Sequence, residues 1–225
     1  MNQPFSVLYT IGYTGCSSPE QMAQVLRERH IRALIDVRSV PYSARFANFD
    51  RENLRRIMKE AGIAYGNLAR EFGARQENHS FYKNGRLDFD TFTQSEQFQI
   101  GMRKVENGIR QGYAPVLMCA EKNPIQCHRA VMVARPFREA GYRVIHLLPD
   151  GGEKTQETLE QELLNQYFPD REQMSLFDGG ESPDEGDWLR KAYALQNDKI
   201  GFKEADLNHD DLYNRFHEED GGAVL

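Results

Sequence analysis

Five residues whose side chains can do chemistry fall close together late in this chain: Cys119, Glu121, Cys127, His128 and Arg129. A thiol that meets a histidine and an arginine where a helix begins is in the setting that stabilises a thiolate. The helix dipole and both neighbouring cations favour the charged form, so Cys127 is the expected nucleophile and Arg129 the expected holder of a phosphate or carboxylate. Glu121 and His128 supply groups able to move a proton. A second reading makes Cys119, Cys127 and His128 soft metal ligands. Zinc sites usually carry tight cysteine pairs, whereas these two lie eight residues apart with no second pair, so the spacing assigns no metal. A third reading leaves both cysteines as small buried residues and His128 as a satisfied polar group at a helix cap.

Asp36 and Arg38 alternate along an apolar segment and therefore share a face. A salt bridge that orders the following loop is the simplest account of them. Brought to the same sheet edge as Cys119 and Cys127, they become a candidate proton-transfer group and a candidate anion holder, because clustered ionisable groups mark functional sites. Gly12, Tyr13, Ser43 and Cys119 join Arg38 and Arg129 as expected substrate contacts. The turn Gly12-Tyr13-Thr14-Gly15 lacks the spacing of a dinucleotide or Walker loop and points to no nucleotide cofactor.

Strands must deliver these groups to one place. Val7 to Ile11 reads as a strand, and Pro19 to His30 as a helix with Ser17 or Ser18 as its cap. Ala33 to Val37 reads as a buried strand, followed by a helix from about Asp50 that Gly62 stops. Pro115 to Met118 and Arg143 to Leu148 are further strands, with helices over 130–140 and 154–167. This alternation predicts an α/β fold: a Rossmann-like, mostly parallel sheet with helices on both faces, followed by an acidic C-terminal tail. In such sheets ligands bind at the carboxyl ends of the strands, where Gly12, Asp36 and Cys119 all lie. Between 66 and 112 polar residues and aromatics interleave ahead of a helix over 95–110. That stretch is either a lid or an irregular connection whose aromatics fill the core edge.

Residues 1–170 carry 22 Lys and Arg against 20 Asp and Glu, while residues 171–225 carry 6 against 14. A body of 1–168 and an acidic linker and tail of 169–225 are therefore expected, with the scattered apolar residues from Trp188 to Phe216 able to form short docking helices. The acidic tail would repel nucleic-acid phosphates rather than hold them. Three cysteines, no long apolar run and no signal-peptide pattern predict a reduced, cytoplasmic chain without a membrane segment.

Thr10-Ile11-Gly12-Tyr13, Leu34-Ile35-Asp36-Val37-Arg38 with Pro41, Ser43 and Phe46, and Met118-Cys119-Ala120-Glu121 with Cys127-His128-Arg129 together resemble the family called domain of unknown function 488. That resemblance implies a Rossmann-like fold and a site built from the polar motif residues, and it names no reaction. The chain departs from the family pattern at Tyr13 and near Gln156, where members often carry histidine. A more distant likeness is to rhodanese-like domains, which also join an Ile-Asp-Val-Arg strand to a later strand ending in Cys. There an Arg follows the Cys closely; here Arg129 comes ten residues after Cys119.

In the tail, Gln173-Met174-Ser175-Leu176-Phe177 looks like the short peptide by which bacterial DNA-processing proteins dock on the DNA polymerase sliding clamp, with Gln173, Leu176 and Phe177 as the anchors. Three functions follow. The first is an enzyme acting on a nucleic acid or nucleotide, as in DNA repair. The second is a non-catalytic adaptor that binds an anion or a nucleic-acid end, and the third is a thiol or metal-binding protein.

Overall fold

The computed structural model describes residues 6–171 and 184–209. The first half runs β1 (Val7–Gly12), α1 (Pro19–Glu28), β2 (Ala33–Asp36), α2 (Arg51–Glu60), β3 (Ala64–Asn67), α3 (Ala69–Phe72), the hairpin β4 (Tyr82–Lys83) and β5 (Arg86–Leu87), α4 (Phe89–Thr93) and α5 (Glu96–Arg110). The second half runs β6 (Pro115–Cys119), a π-helical segment (Arg129–Ala134), α6 (Arg135–Glu139), β7 (Arg143–Leu147), β8 (Glu153–Thr155), α7 (Gln156–Tyr167) and α8 (Glu185–Ile200). Among the described residues no helix is long and apolar enough to cross a membrane. Gln173, Leu176 and Phe177 lie outside the described residues.

Six strands form one sheet in the order β3-β2-β6-β1-β7-β8, parallel throughout except for β8 at the edge. The central strand β6 is buried at every position, which is why it reads as an unbroken apolar run rather than an alternation. Ser18 starts α1 by accepting from the Gln21 N–H (3.2 Å), with Pro19 in the first turn. On one face of the sheet Met22 and Leu26 of α1 and Leu54, Ile57 and Met58 of α2 pack with Leu34, Val116 and Ile145. On the other, Leu8, Ile35, Leu117 and Val144 meet Phe72, Phe92, Phe98, Phe137, Leu163 and Tyr193. Helices thus cover both faces, as the alternation of strands and helices predicts.

The interleaved segment after Tyr65 supplies more regular structure than its sequence suggests. β3 is an edge strand spelled Ala-Tyr-Gly-Asn, half-buried at every position, so no apolar signal marks it. Phe72, Phe92 and Phe98 that follow are completely buried and meet edge to face, with ring centroids 5.0 and 5.6 Å apart. Those aromatics fill the core and do not line a lid. The helix expected over 130–140 begins instead as the π turn Arg129–Ala134. Pro136 explains the wider turn: it has no N–H to donate, and its ring would clash with a carbonyl in a tight α turn. In the acidic C-terminal stretch, α8 opens with a reciprocal capping box between Asp184 and Asp187 and buries Ala192 and Tyr193 against the body.

Two crossovers decide where a site can form. From β1 the chain passes β6 to reach β2, and from β6 it passes β1 in the other direction to reach β7. The connections leave on opposite faces, so the loops after β1 and β6 part at the carboxyl ends of these strands, the place where such sheets form sites.

Candidate metal centre

Cys119 is the last residue of β6 and stands in register with Gly12 at the end of β1. The loop that follows turns back on itself. Asn123 accepts from the Ile125 N–H (3.3 Å), and the turn Pro124–Gln126 closes with the Cys127 N–H donating to the Pro124 carbonyl (3.1 Å). Thr14 fastens the loop's start, its N–H (3.1 Å) and hydroxyl (2.7 Å) both donating to the Ala120 carbonyl. Gly12 must be glycine for this to happen: a Cβ there would sit 1.9 Å from the Glu121 carbonyl oxygen.

The turn closes the eight-residue gap between the cysteines. The side-chain donor atoms of Cys119, Glu121, Cys127 and His128 all lie within 4.8 Å of one another. Glu121 Oε2 is 2.8 Å from Cys127 Sγ and 3.2 Å from Cys119 Sγ, and His128 Nδ1 is 3.7 Å from Cys119 Sγ. His128 Nε2 lies 3.1 Å from the Val37 carbonyl, which can only accept, so Nε2 carries a proton, and Nδ1 is the nitrogen nearer the Cys119 sulfur. Both cysteines are buried, whereas Glu121 is exposed as a residue with its carboxyl turned inward onto the thiols.

Charge is unevenly shared. Burial and the adjacent Cys127 push the Cys119 thiol well up. Burial alone would push Cys127 up too, but Cys119, Arg129 and His128 reverse this and hold it well below the usual thiol range. Burial followed by Cys127 raises Glu121; burial would lower His128, and Cys127 and Glu121 raise it instead. Within the cluster ionisation is thus easier at Cys127 than at Cys119, while Glu121 and His128 both hold a proton more tightly than usual.

The other expected site residues take different places. Arg129 is completely buried; its guanidinium donates to the carbonyls of Glu121 and Lys122 and to Thr10 Oγ1 (3.3 Å). It holds the loop from within rather than facing an external anion. Arg38 grips Asp36, with Nη2 2.6 Å from Oδ2 and Nε 2.9 Å from Oδ1, and Tyr65 adds a hydroxyl at 2.9 Å to Asp36 Oδ2. Burial would lower the Arg38 pKa, and Asp36 more than reverses it. Tyr13 is stacked on Phe49 (centroids 4.8 Å apart) beneath the Arg38 guanidinium. Ser43 accepts from the Phe46 N–H (3.2 Å) and so shapes the turn before α2. These groups form a second, internal cluster beside the first, and Val37 joins the two: its carbonyl accepts from His128 and its N–H donates to Met118.

Sequence reasoning missed a third set. Thr10 and His146 face each other across β1 and β7 (2.8 Å), and His146 also touches Gln156 (2.9 Å). The available signal was a polar residue inside each of two otherwise apolar strands; such residues are normally buried only with partners. Burial and the nearby Arg129 depress His146 to about 3, so it is neutral.

The family model described as Domain of unknown function DUF488 matches residues 18–135. That span contains Asp36, Arg38, Cys119, Glu121, Cys127, His128 and Arg129, and excludes Thr10, Gly12, Tyr13 and His146. No curated protein and no solved structure matches the chain.

Proposed function

The chain belongs to the DUF488 family, a domain of unknown function, and from that premise we propose that Cys119, Glu121, Cys127 and His128 form a zinc-type centre whose solvent-side position carries out metal-assisted chemistry. One observation carries the reading: four donor atoms of zinc-binding type converge within 4.8 Å, while the imidazole's second nitrogen is anchored on the Val37 carbonyl. Backing of that kind fixes the tautomer of a ligating histidine. Zinc bonds of about 2.0–2.3 Å place the corners of a tetrahedron roughly 3.2–3.8 Å apart. Three of the six separations, 2.8, 3.2 and 3.7 Å, bracket this range, and all six fall within 4.8 Å. Two sulfurs and an imidazole favour zinc over magnesium or calcium, which prefer oxygen. Two thiolates and a carboxylate around a divalent ion leave one net negative charge, and the buried Arg129 guanidinium beside them offsets it. Glu121 is the one member of the four whose residue is exposed, and swinging its carboxyl outward from the thiols would open its position to water or substrate.

The test is metal analysis of the purified full-length protein beside Cys119→Ser and Cys127→Ser. About one zinc per chain in the wild type, lost in both variants, supports the centre. Cobalt substitution then gives the sulfur-to-metal absorption expected of two thiolate ligands. A metal-free wild type whose Cys127 is rapidly alkylated overturns it in favour of a thiolate nucleophile, a role that the low pKa of Cys127 favours.

A second observation favours DNA- or nucleotide-directed chemistry: the peptide Gln173-Met174-Ser175-Leu176-Phe177 has the pattern of a sliding-clamp ligand. Binding of the bacterial clamp by the wild type, lost when Gln173, Leu176 and Phe177 are replaced by alanine, is the expected result; no binding by the wild type removes this reading. The adaptor function has less support, since Arg38 and Arg129, its anion holders, are both buried on internal partners.

A further inference from the structure

We propose that β7, α7 and the C-terminal helix α8 are part of the centre's machinery, with Thr10, His146, Gln156, Tyr193 and Gln196 acting as positioning residues for the loop that carries Glu121 and Cys127. The inference rests on the metal reading for what is positioned. Its observations are independent of that reading.

Two limbs reach the loop. In the first, the Gln156 side-chain carbonyl accepts from His146 Nε2 (2.9 Å), which leaves His146 Nδ1 to accept from the Thr10 hydroxyl (2.8 Å). Thr10 Oγ1 is then free to accept from Arg129 Nε (3.3 Å), and the Arg129 guanidinium closes on the Glu121 and Lys122 carbonyls. The amide of Gln156 faces the other way and donates to the Ala130 carbonyl (3.2 Å) and to Tyr193 Oη (2.9 Å), whose own proton goes to Glu160 (3.0 Å). In the second limb, the Gln196 amide donates to the Ile125 carbonyl (2.6 Å), while its oxygen accepts from the Tyr167 hydroxyl (2.6 Å).

Only one direction of donation satisfies the first limb, so each member dictates the orientation of the next. Thr10, Arg129, His146 and Gln156 are 0% exposed, Gln196 1% and Tyr193 3%. A buried network that is fully satisfied in one arrangement specifies geometry, because any other arrangement strands a polar group away from water. The limbs end on carbonyls at 121, 122, 125 and 130, on both sides of Cys127. Every donor to the proposed metal lies within the family-matched residues 18–135, whereas Thr10, His146, Gln156, Tyr193 and Gln196 all lie outside them. Chemistry and support are thus separate along the chain and joined in space.

The experiment compares Gln196→Met and Tyr193→Phe with Leu26→Ala in the full-length protein. Leu26 is fully buried on α1, in the core on the opposite face of the sheet from Tyr193, Ile125 and Cys127, so its truncation lowers stability without touching the network. Zinc transfer to a chromophoric chelator is timed well below each melting temperature. Loss of supporting hydrogen bonds accelerates release by about 10–100-fold, the usual effect of removing a ligand's outer partners. Leu26→Ala is expected to melt at least as early and still release zinc at the wild-type rate. Wild-type release rates in Gln196→Met and Tyr193→Phe, or equal acceleration by Leu26→Ala, overturn the inference. If the wild type holds no metal, the metal reading fails by itself, and the alkylation rate of Cys127 by iodoacetamide reads the positioning instead. Faster alkylation in the two network variants alone supports it; unchanged rates refute it.

Discussion

At Gly12 the absence of a side chain has a direct functional meaning. A methyl group would meet the Glu121 carbonyl oxygen at 1.9 Å and the Lys122 Cα at 2.9 Å, both of them backbone that a rotamer change cannot move. Gly12→Ala must push the loop outward, at about 1–3 kcal/mol for the overpacking. Lower stability in urea together with lost zinc is the expected pair of results; a variant with full metal content would show that the close approach does not set the ligands. His146 gives a pH prediction with a definite sign. Folded, it resists protonation down to about 3; unfolded, it takes a proton near 6.5. Below about pH 6.5 the unfolded state binds the extra proton, so stability contributed above that pH is lost as pH falls toward 3, at no more than about 1.4 kcal/mol per unit. His146→Gln has no such group, and its stability should fall less steeply between pH 6.5 and 4.5 than that of the wild type. Parallel slopes in urea melts at successive pH values would sink the assignment. The thiols, Glu121 and His128 were legible in the sequence because their types are rare and sit at a strand end. His146 was not, since a histidine inside an apolar strand looks the same whether its partner is water or a threonine 136 residues away.

At the scale of elements, what was legible depended on how much apolar surface each one buries. β1, β2, β6 and β7 bury most of their length, and α1, α2 and α5 carry clear apolar stripes, so the frame could be read. β3 is only half-buried, and β4 and β5 are two residues each; they exist because neighbours hold them, and no local pattern announces that. The π turn at Arg129–Ala134 needed knowledge of how Pro136 fits beneath a helix already packed on both sides. α8 shows the same dependence in reverse. Near its C-terminus Asn197 accepts from the Phe89 N–H (2.8 Å) and donates to the Leu87 carbonyl (2.8 Å), which ties the helix to the hairpin and α4. Asn197→Ala strands both buried backbone groups, and about 2–4 kcal/mol should be lost. Hydrogen exchange would show the loss as faster exchange at Phe89 and along the last turns of α8, with β1 and β6 unaffected while the chain stays folded. Uniformly faster exchange would mean that the helix and sheet unfold as one unit.

For the whole molecule, topology and composition divide the chain differently. The candidate site lies at the ends of β1 and β6 because their connections leave in opposite directions, a property of strand order that no single motif encodes. Charge, by contrast, changes sharply near residue 171, and the strongly acidic remainder looks like an appendage. The packing continues across that point. α8 buries Ala192 and Tyr193 completely or nearly so, sets Trp188 against Phe168 with ring centroids 4.7 Å apart, and reaches the Ile125 carbonyl through Gln196. Burial of one large side chain contributes about 1.5–3 kcal/mol, and a domain's net stability is only about 5–15 kcal/mol. A chain ended after residue 171 loses several such contributions and leaves the polar ends of Gln156 and Glu160 without Tyr193. It should melt at least about 10 °C below the full-length protein, bind a dye specific for exposed apolar surface, and alkylate at Cys127 faster at temperatures where it is still folded. Equal melting temperatures for the two chains would make the acidic C-terminal part an appendage in the energetic sense as well. A large drop together with faster Cys127 alkylation in the folded truncated chain means that a helix far outside the family-matched residues is required to keep the proposed centre assembled.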